Sequence, residues 1–286
     1  MKNPYSEIEY CELYGPTAPG CKFIHSKNIF GILDACKNSF RTLPGFTLFH
    51  ASTREMEAFF ELHKIQKAFI LCRSVTGQST KTQNGIFSFE PRGLIGFEGL
   101  TSENFWDELK RRSRRDSVRA LKKWKNGNWS IKCTCDDGDL AEFALMYKRL
   151  NRARGISDLY HLENNQLKNL LRHPNWHLLK VFSGNSVIGF TLIAHHEENV
   201  DQVVLVYDHN ERDASRFVVY GSLEFAVNDL VADDYFMGGG ITENDTLENY
   251  KLSLGAQKKH ASVVKYCDYN APNYHDRLEL RGVKWP

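Results

Sequence analysis

The order of apolar segments between Trp176 and Cys267 restricts the fold more than any other feature of this chain. WHLLKVFSG (176–184), SVIGFTLIAHH (186–196) and DQVVLVYD (201–208) follow one another across short polar turns. Short apolar or alternating runs bounded by turn residues read as strands. A helical pattern then runs from Ser215 through Leu230, with Phe217, Val218, Tyr220, Leu223, Phe225 and Ala226 apolar. DYFMGGG (234–240) reads as strand, about Asn244 to Leu254 as helix, and SVVKYC (262–267) as a last strand. The order β-β-β-α-β-α-β predicts a mixed sheet covered by helices, an α/β or α+β architecture.

The earlier chain predicts a second, smaller arrangement of the same kind. EMEAFFELHK (55–64) places Met56, Phe59, Phe60 and His63 at helical spacing behind Ser52 or Thr53 as cap. AFILC (68–72), GIFSFE (85–90) and GLIGFEG (93–99) form a strand meander, and SKNIFGILDAC (26–36) suits a short helix opening at Ser26. Thr101 or Ser102 caps an amphipathic helix lasting to about Trp124, and Asn126-Gly127-Asn128 ends it. WSIKCTC then reads as strand, Asp139–Arg154 and Glu163–Arg172 as helices. The expected division is therefore 1–126 and 127–286.

Composition excludes more than it specifies. Lys plus Arg (37) nearly balance Asp plus Glu (35), so the net charge of +2 gives no global argument for a nucleic-acid or membrane partner. The seven cysteines are odd in number and contain no CxxC pair, which favours reduced thiols and no metal site. Cys133 and Cys135, two apart on a predicted strand, read as packing residues sharing a face. The N-terminus lacks a signal-peptide apolar region and no run approaches the ~18 residues of a membrane span, so a cytoplasmic protein is expected.

Two stretches concentrate chemistry. GGGITENDTLENYKLSLG (238–255) sets Gly238, Gly239 and Gly240 at a strand end, and glycine admits positive φ and close approach of a ligand or another backbone. The same residues suit a tight strand-to-helix turn, with Thr242, Asn244 or Asp245 as helix cap. LKRRSRRDSVRALKKW (109–124) is strongly basic. In one helix, Arg112, Arg115 and Arg119 share a face and suit phosphates, although a solvated face has the same composition.

These parts resemble the GNAT-fold acyltransferases, in the branch related to the FemABX peptidyltransferases and to GNAT proteins of bacterial polysaccharide and cell-envelope biosynthesis. The resemblance rests on Gly238–Gly240, Asn244 and Asp245, Leu247, Tyr250 with Lys251, and Gly255, and on the basic helix before WSIKCTC. Tyr250 replaces the branch's usual phenylalanine. The resemblance implies a tandem of an abbreviated N-terminal GNAT-like half and a complete C-terminal half. It also implies an N-acyltransferase that carries an acyl group, from acetyl-CoA or another acyl-CoA, to an amine on a small phosphorylated or nucleotide-linked acceptor such as an amino sugar.

By the same resemblance, Gly238, Gly239, Gly240, Asn244 and Lys251 hold the donor. Lys251 also serves catalysis, with Tyr207, Asp208, Glu243 and Asp245 as candidates for base and acceptor-amine binding, while the shared face of Arg112, Arg115 and Arg119 is the expected substrate-phosphate ligand. His195 or His196 is a further base candidate on the neighbouring strand. HNERDASRFVVYGS (209–222) lacks the glycines with which ordinary GNAT enzymes hold the coenzyme A pyrophosphate. An aminoacyl-tRNA donor therefore stands as the alternative, and a non-catalytic relative binding RNA or an anionic membrane through residues 110–125 as a third.

Overall fold

A computed structural model describes residues 20–26, 29–41, 52–72, 80–153, 164–196, 198–238 and 246–270. The chain forms two compact units, one built on Leu94–Lys259 and the other on Tyr5–Gly93 with His260–Pro286. Gly127, the expected division, lies inside the first of these.

The first unit takes the C-terminal residues of β6 (Gly85–Glu98), then α2 (Phe105–Arg112), α3 (Arg115–Asn126), β7 (Trp129–Thr134), α4 (Asp137–Ala153) and α5 (Asn164–Leu170). It continues with β8 (Trp176–Ser183), β9 (Ser186–His196), β10 (Asn199–Tyr207), α6 (Ala214–Asn228), β11 (Asp234–Phe236) and α7 (Thr246–Ser253). Strands β7, β8, β9 and β10 pair antiparallel in sequence, β10 pairs parallel with β11, and β11 antiparallel with β6.

Helices cover both faces of this mixed sheet. Successive side chains of a strand point to opposite faces, and β9 shows the result: Phe190 meets Phe143 of α4 edge-on at 6.0 Å, while Gly189 lies under α6. A Cβ at Gly189 would come within 2.6 Å of Val218, so glycine is what lets α6 settle on the sheet. Residues from Ile188 to His195 are buried throughout, as expected of a strand covered on both sides.

The basic segment is two helices rather than the single one its pattern suggested. Ser113 and Arg114 take extended backbone (ψ 146° and 159°), so Arg112 ends α2 while Arg115 and Arg119 belong to α3. The cause lies across the fold: the Ser113 hydroxyl donates to the Leu254 carbonyl at 2.7 Å and the Arg114 N–H to that of Ser253 at 2.9 Å. These bonds satisfy carbonyls left open at the end of α7. Leu109, Ala120, Leu121 and Trp124 anchor both helices in the unit's core beside α6. The Trp124 indole N–H donates to Glu224 at 2.8 Å, and its ring passes where a Cβ on Gly221 would stand 2.8 Å away.

The second unit holds β1 (Cys21–His25), β2 (Phe30–Asp34), β3 (Ser39–Arg41), α1 (Thr53–Leu62), β4 (Lys67–Cys72), β5 (Thr80–Lys81), the N-terminal part of β6, and most of β12 (Gln257–Asp268). β1, β2 and β3 pair antiparallel, β3 runs parallel to β4, and β4 pairs antiparallel with β12. Residues 26–36, expected to be helical, contain β2. Gly31 to Asp34 are all buried, and an apolar run as short as Phe30–Leu33 carries no periodicity to separate strand from helix. α1 begins with a capping box between Ser52 and Glu55, and packs Phe59 and Phe60 against Phe40.

Two smaller expectations also change. β6 is one strand through Pro91 rather than two, since proline fixes φ near values that extended backbone tolerates and removes only one donor. Cys135 falls beyond the end of β7, so it does not share a strand face with Cys133.

Candidate functional site

In the first unit, β10 and β11 part company. They pair at Asn199–Asp234, Val200–Tyr235 and Asp201–Phe236; β11 then ends, while β10 continues to Tyr207 paired with β9. The β9–β10 register shifts between Gln202 and Val204, and such a bulge bends and twists the strand that carries it. Alternate N–H and C=O groups of a strand point to its two sides. From Gln202 onward, one set therefore faces the gap that β11 leaves.

Beyond β11 the described chain runs to Gly238, the first of the three glycines. Gly238 has φ +71°, a conformation natural to glycine and strained for other residues. Gly239, Gly240, Glu243, Asn244 and Asp245 lie outside the described residues. Lys251, on α7, is 7% exposed, and its Nζ donates to the carbonyls of Met237 at 2.5 Å and Gly238 at 3.3 Å. A buried ammonium needs such partners. The lysine and the start of the glycine turn are thus brought together, through backbone oxygens.

Around this point the structure gathers Tyr250 and Tyr207, which the sequence singled out, with Arg216 and Asp213, which it did not. Tyr250, beside Lys251, lies near Ser215, Arg216, Tyr207 and Tyr220, and burial pushes its hydroxyl up to about 12, so it keeps its proton at neutral pH. The Arg216 guanidinium sits 6.0 Å from the Tyr250 ring centre and donates to Asp213 at 2.8 Å. Asp213 is the N-cap of α6, with φ +68°, and also pairs with Lys123 at 3.5 Å. A carboxylate therefore already stands at the positive end of α6, where an anionic ligand would otherwise be attracted. The signal for this was the absence of glycine in HNERDASR, read together with the aspartate.

Apart from Tyr207, which lies near Tyr250, the other predicted residues separate. Tyr207 ends β10 with its ring 4.5 Å from that of His209. Asp208 accepts from the N–H and side-chain amide of Asn210 at 2.9 and 3.0 Å, an Asx turn that fixes the loop. Arg112 donates to Glu108 and, at 3.0 Å, to the Glu98 carbonyl. Arg119 pairs with Asp116 on its own helix, while exposed Arg115 makes no ion pair among the described residues. His195 is buried and His196 half-buried. His177, 6.5 Å from His195, has its imidazole lowered to about 4, first by burial and then by the neighbouring histidine. No group of three or more His, Cys, Asp or Glu suited to a metal occurs among the described residues, and none of their helices is long and apolar enough to cross a membrane.

No family model matches this chain, and no curated protein does. Solved structures do. L-PGS from Bacillus licheniformis aligns over 95% of this chain and 94% of its own, with a TM-score of 0.59 at 10% identity. FemX aligns over 84% and 82%, with a TM-score of 0.56 at 10% identity. A conserved Bacteroides thetaiotaomicron protein of unknown function aligns over 93% and 90%, at 0.54 and 9%. The fold is the FemABX-like GNAT fold, in the two-part tandem that the sequence suggested.

Proposed function

We propose that this chain is an acyl-type transferase that joins an acyl group to an amine in the gap where β10 leaves β11. The observation that carries this reading is the parting of the two strands beside the glycine turn pinned by Lys251. The fold held in common with FemX and L-PGS supports it.

In such a reaction the neutral amine attacks the acyl carbonyl carbon, the donor's C–S or C–O bond breaks, and the amine's proton passes to a base. An N–H on the free edge of β10 stabilises the oxyanion, an effect typically worth ~3 kcal/mol for one donor. The base passes the amine's proton on to the departing thiolate or ribose oxygen, and Tyr250, which stays protonated, is the proposed hydrogen-bond donor beside it. Tyr207, Asp208, Glu243 and Asp245 are the proposed groups for the base and for the acceptor's ammonium. We assign Lys251 a positioning role: its ammonium holds the turn in which Gly238, Gly239, Gly240 and Asn244 meet the donor. Of the three arginines, Arg115 is the proposed phosphate ligand, because Arg112 and Arg119 already face carboxylates.

For the donor, acyl-CoA is the reading carried by the resemblance, with a nucleotide-linked amino sugar as model acceptor. A second reading has its own support. HNERDASR brings no glycine to the N-terminus of α6, and Asp213 there occupies Arg216 and Lys123, the cations a pyrophosphate would use, which favours an aminoacyl-tRNA donor. Incubating the purified chain with acetyl-CoA or with aminoacyl-tRNA, each with a panel of nucleotide-linked amino sugars, and weighing the products tests both. An acceptor gaining the acyl mass with one donor supports transfer and names the donor. Intact donors and acceptors throughout, with salt-sensitive RNA binding, would point to a non-catalytic relative.

A further inference from the structure

The second unit contains a pocket of about 260 Å³ between α1, the β5–β6 turn and the end of β12. Three carboxylates line it, Glu57, Glu61 and Asp268, against one lysine, Lys64. Glu57 and Glu61 stand four residues apart on α1, so they share a face. Glu57 is held by the Asn84 N–H at 3.2 Å and Asp268 by that of Asn270 at 2.7 Å, which leaves each a second oxygen for a ligand.

The independent observation is Tyr266. Its side chain is 2% exposed, it lines the pocket, and its hydroxyl makes no hydrogen bond among the described residues. The ring is clamped by Phe60 at 4.8 Å and Phe87 at 4.9 Å, and a Cβ on Gly85 would come within 2.6 Å of it. The hydroxyl oxygen itself is not sealed off, so it stays open to the pocket. Burial and the surrounding carboxylates, Asp268 first, push this hydroxyl up to about 12, in keeping with their closeness to it.

We propose that this pocket binds a primary ammonium group on a short aliphatic stem. The ammonium donates to the Tyr266 oxygen and to the carboxylates, in bonds stronger than neutral ones. The stem lies against the small part of Phe60 and Tyr266 that reaches the pocket wall. The volume is below the roughly 300–1,000 Å³ of pockets for drug-sized ligands. An alkylammonium of about amino-acid size suits that space, and its source is a free small amine or a lysyl side chain. This site is independent of the transferase reading.

The test is calorimetric titration of the full chain with cadaverine, with its uncharged counterpart pentanediol, and with Nα-acetyl-lysine methylamide. Cadaverine is expected to bind and pentanediol not, and Tyr266→Phe and Glu61→Gln are each expected to weaken binding about tenfold, as loss of a charge-assisted bond does. Thermal melting checks that both variants fold; Glu61 is exposed and its replacement leaves the core untouched. Tighter binding of the lysine amide would assign the site to a lysyl side chain. No binding of either amine, or binding unchanged in both variants, would overturn the proposal.

Discussion

The Lys251 ammonium donates to the Met237 carbonyl at 2.5 Å, so the helix after the glycine turn holds the strand before it. Replacing Lys251 with methionine would leave the buried Met237 carbonyl and the part-buried Gly238 carbonyl without this donor, at a cost of about 1–3 kcal/mol for the buried one. Urea unfolding should show that loss. If Lys251 positions the donor turn, kcat should fall more than KM rises, and arginine should restore part of it. Stability lost with turnover intact would make the lysine purely structural.

The junction between α2 and α3 should be equally sensitive. Gly255 has φ +96°, and a Cβ there would lie 3.0 Å from the Ser113 hydroxyl. Gly255→Ala is expected to cost about 1–3 kcal/mol from strain at that φ, and Ser113→Ala about 1 kcal/mol from its lost bond to Leu254. The residues touch, so the double variant should depart from additivity in denaturant unfolding.

Asp213 offers a test of donor choice. Asp213→Asn removes a negative charge from the N-terminus of α6, a change typically worth about 0.3–1 kcal/mol for an anion there. If the donor is an acyl-CoA, its KM should fall by about two- to fivefold in steady-state assays at low salt. An unchanged KM would place the donor's phosphates elsewhere.

His177 predicts an acid limb of stability. Its folded value is lowered to about 4 from an ordinary 6.5, so between those values the unfolded chain binds more protons. Stability should therefore rise with pH from about 4 to 6.5 and level off above. Chemical unfolding across that window should be less steep in His177→Gln; an equal slope would remove His177 from the account.

Strands and long helices of the first unit were legible because their patterns are local. β8, β9 and β10 are bounded by turns, and α6 repeats Phe217, Tyr220, Leu223 and Ala226 at helical spacing. The α2–α3 break was not legible, since Ser113 and Arg114 are drawn out of the helix by Ser253 and Leu254, some 140 residues away in the chain. β2 was misread because its apolar run, Phe30–Leu33, is too short to show a period. At the site, nearness of Lys251 to Gly238 followed from the motif, but the bonds to backbone oxygens, the Tyr250–Arg216 contact and the cap at Asp213 depend on how α6 and α7 pack. Those contacts leave no mark in the sequence.

Hydrogen exchange followed by mass spectrometry, with and without a donor, tests the central claim most directly. Binding of the donor in the β10–β11 gap predicts slower exchange in residues 202–208 and 246–253, with β7 and β8 unchanged. Protection confined to the exposed face of α3, with 202–208 unaffected, would contradict it.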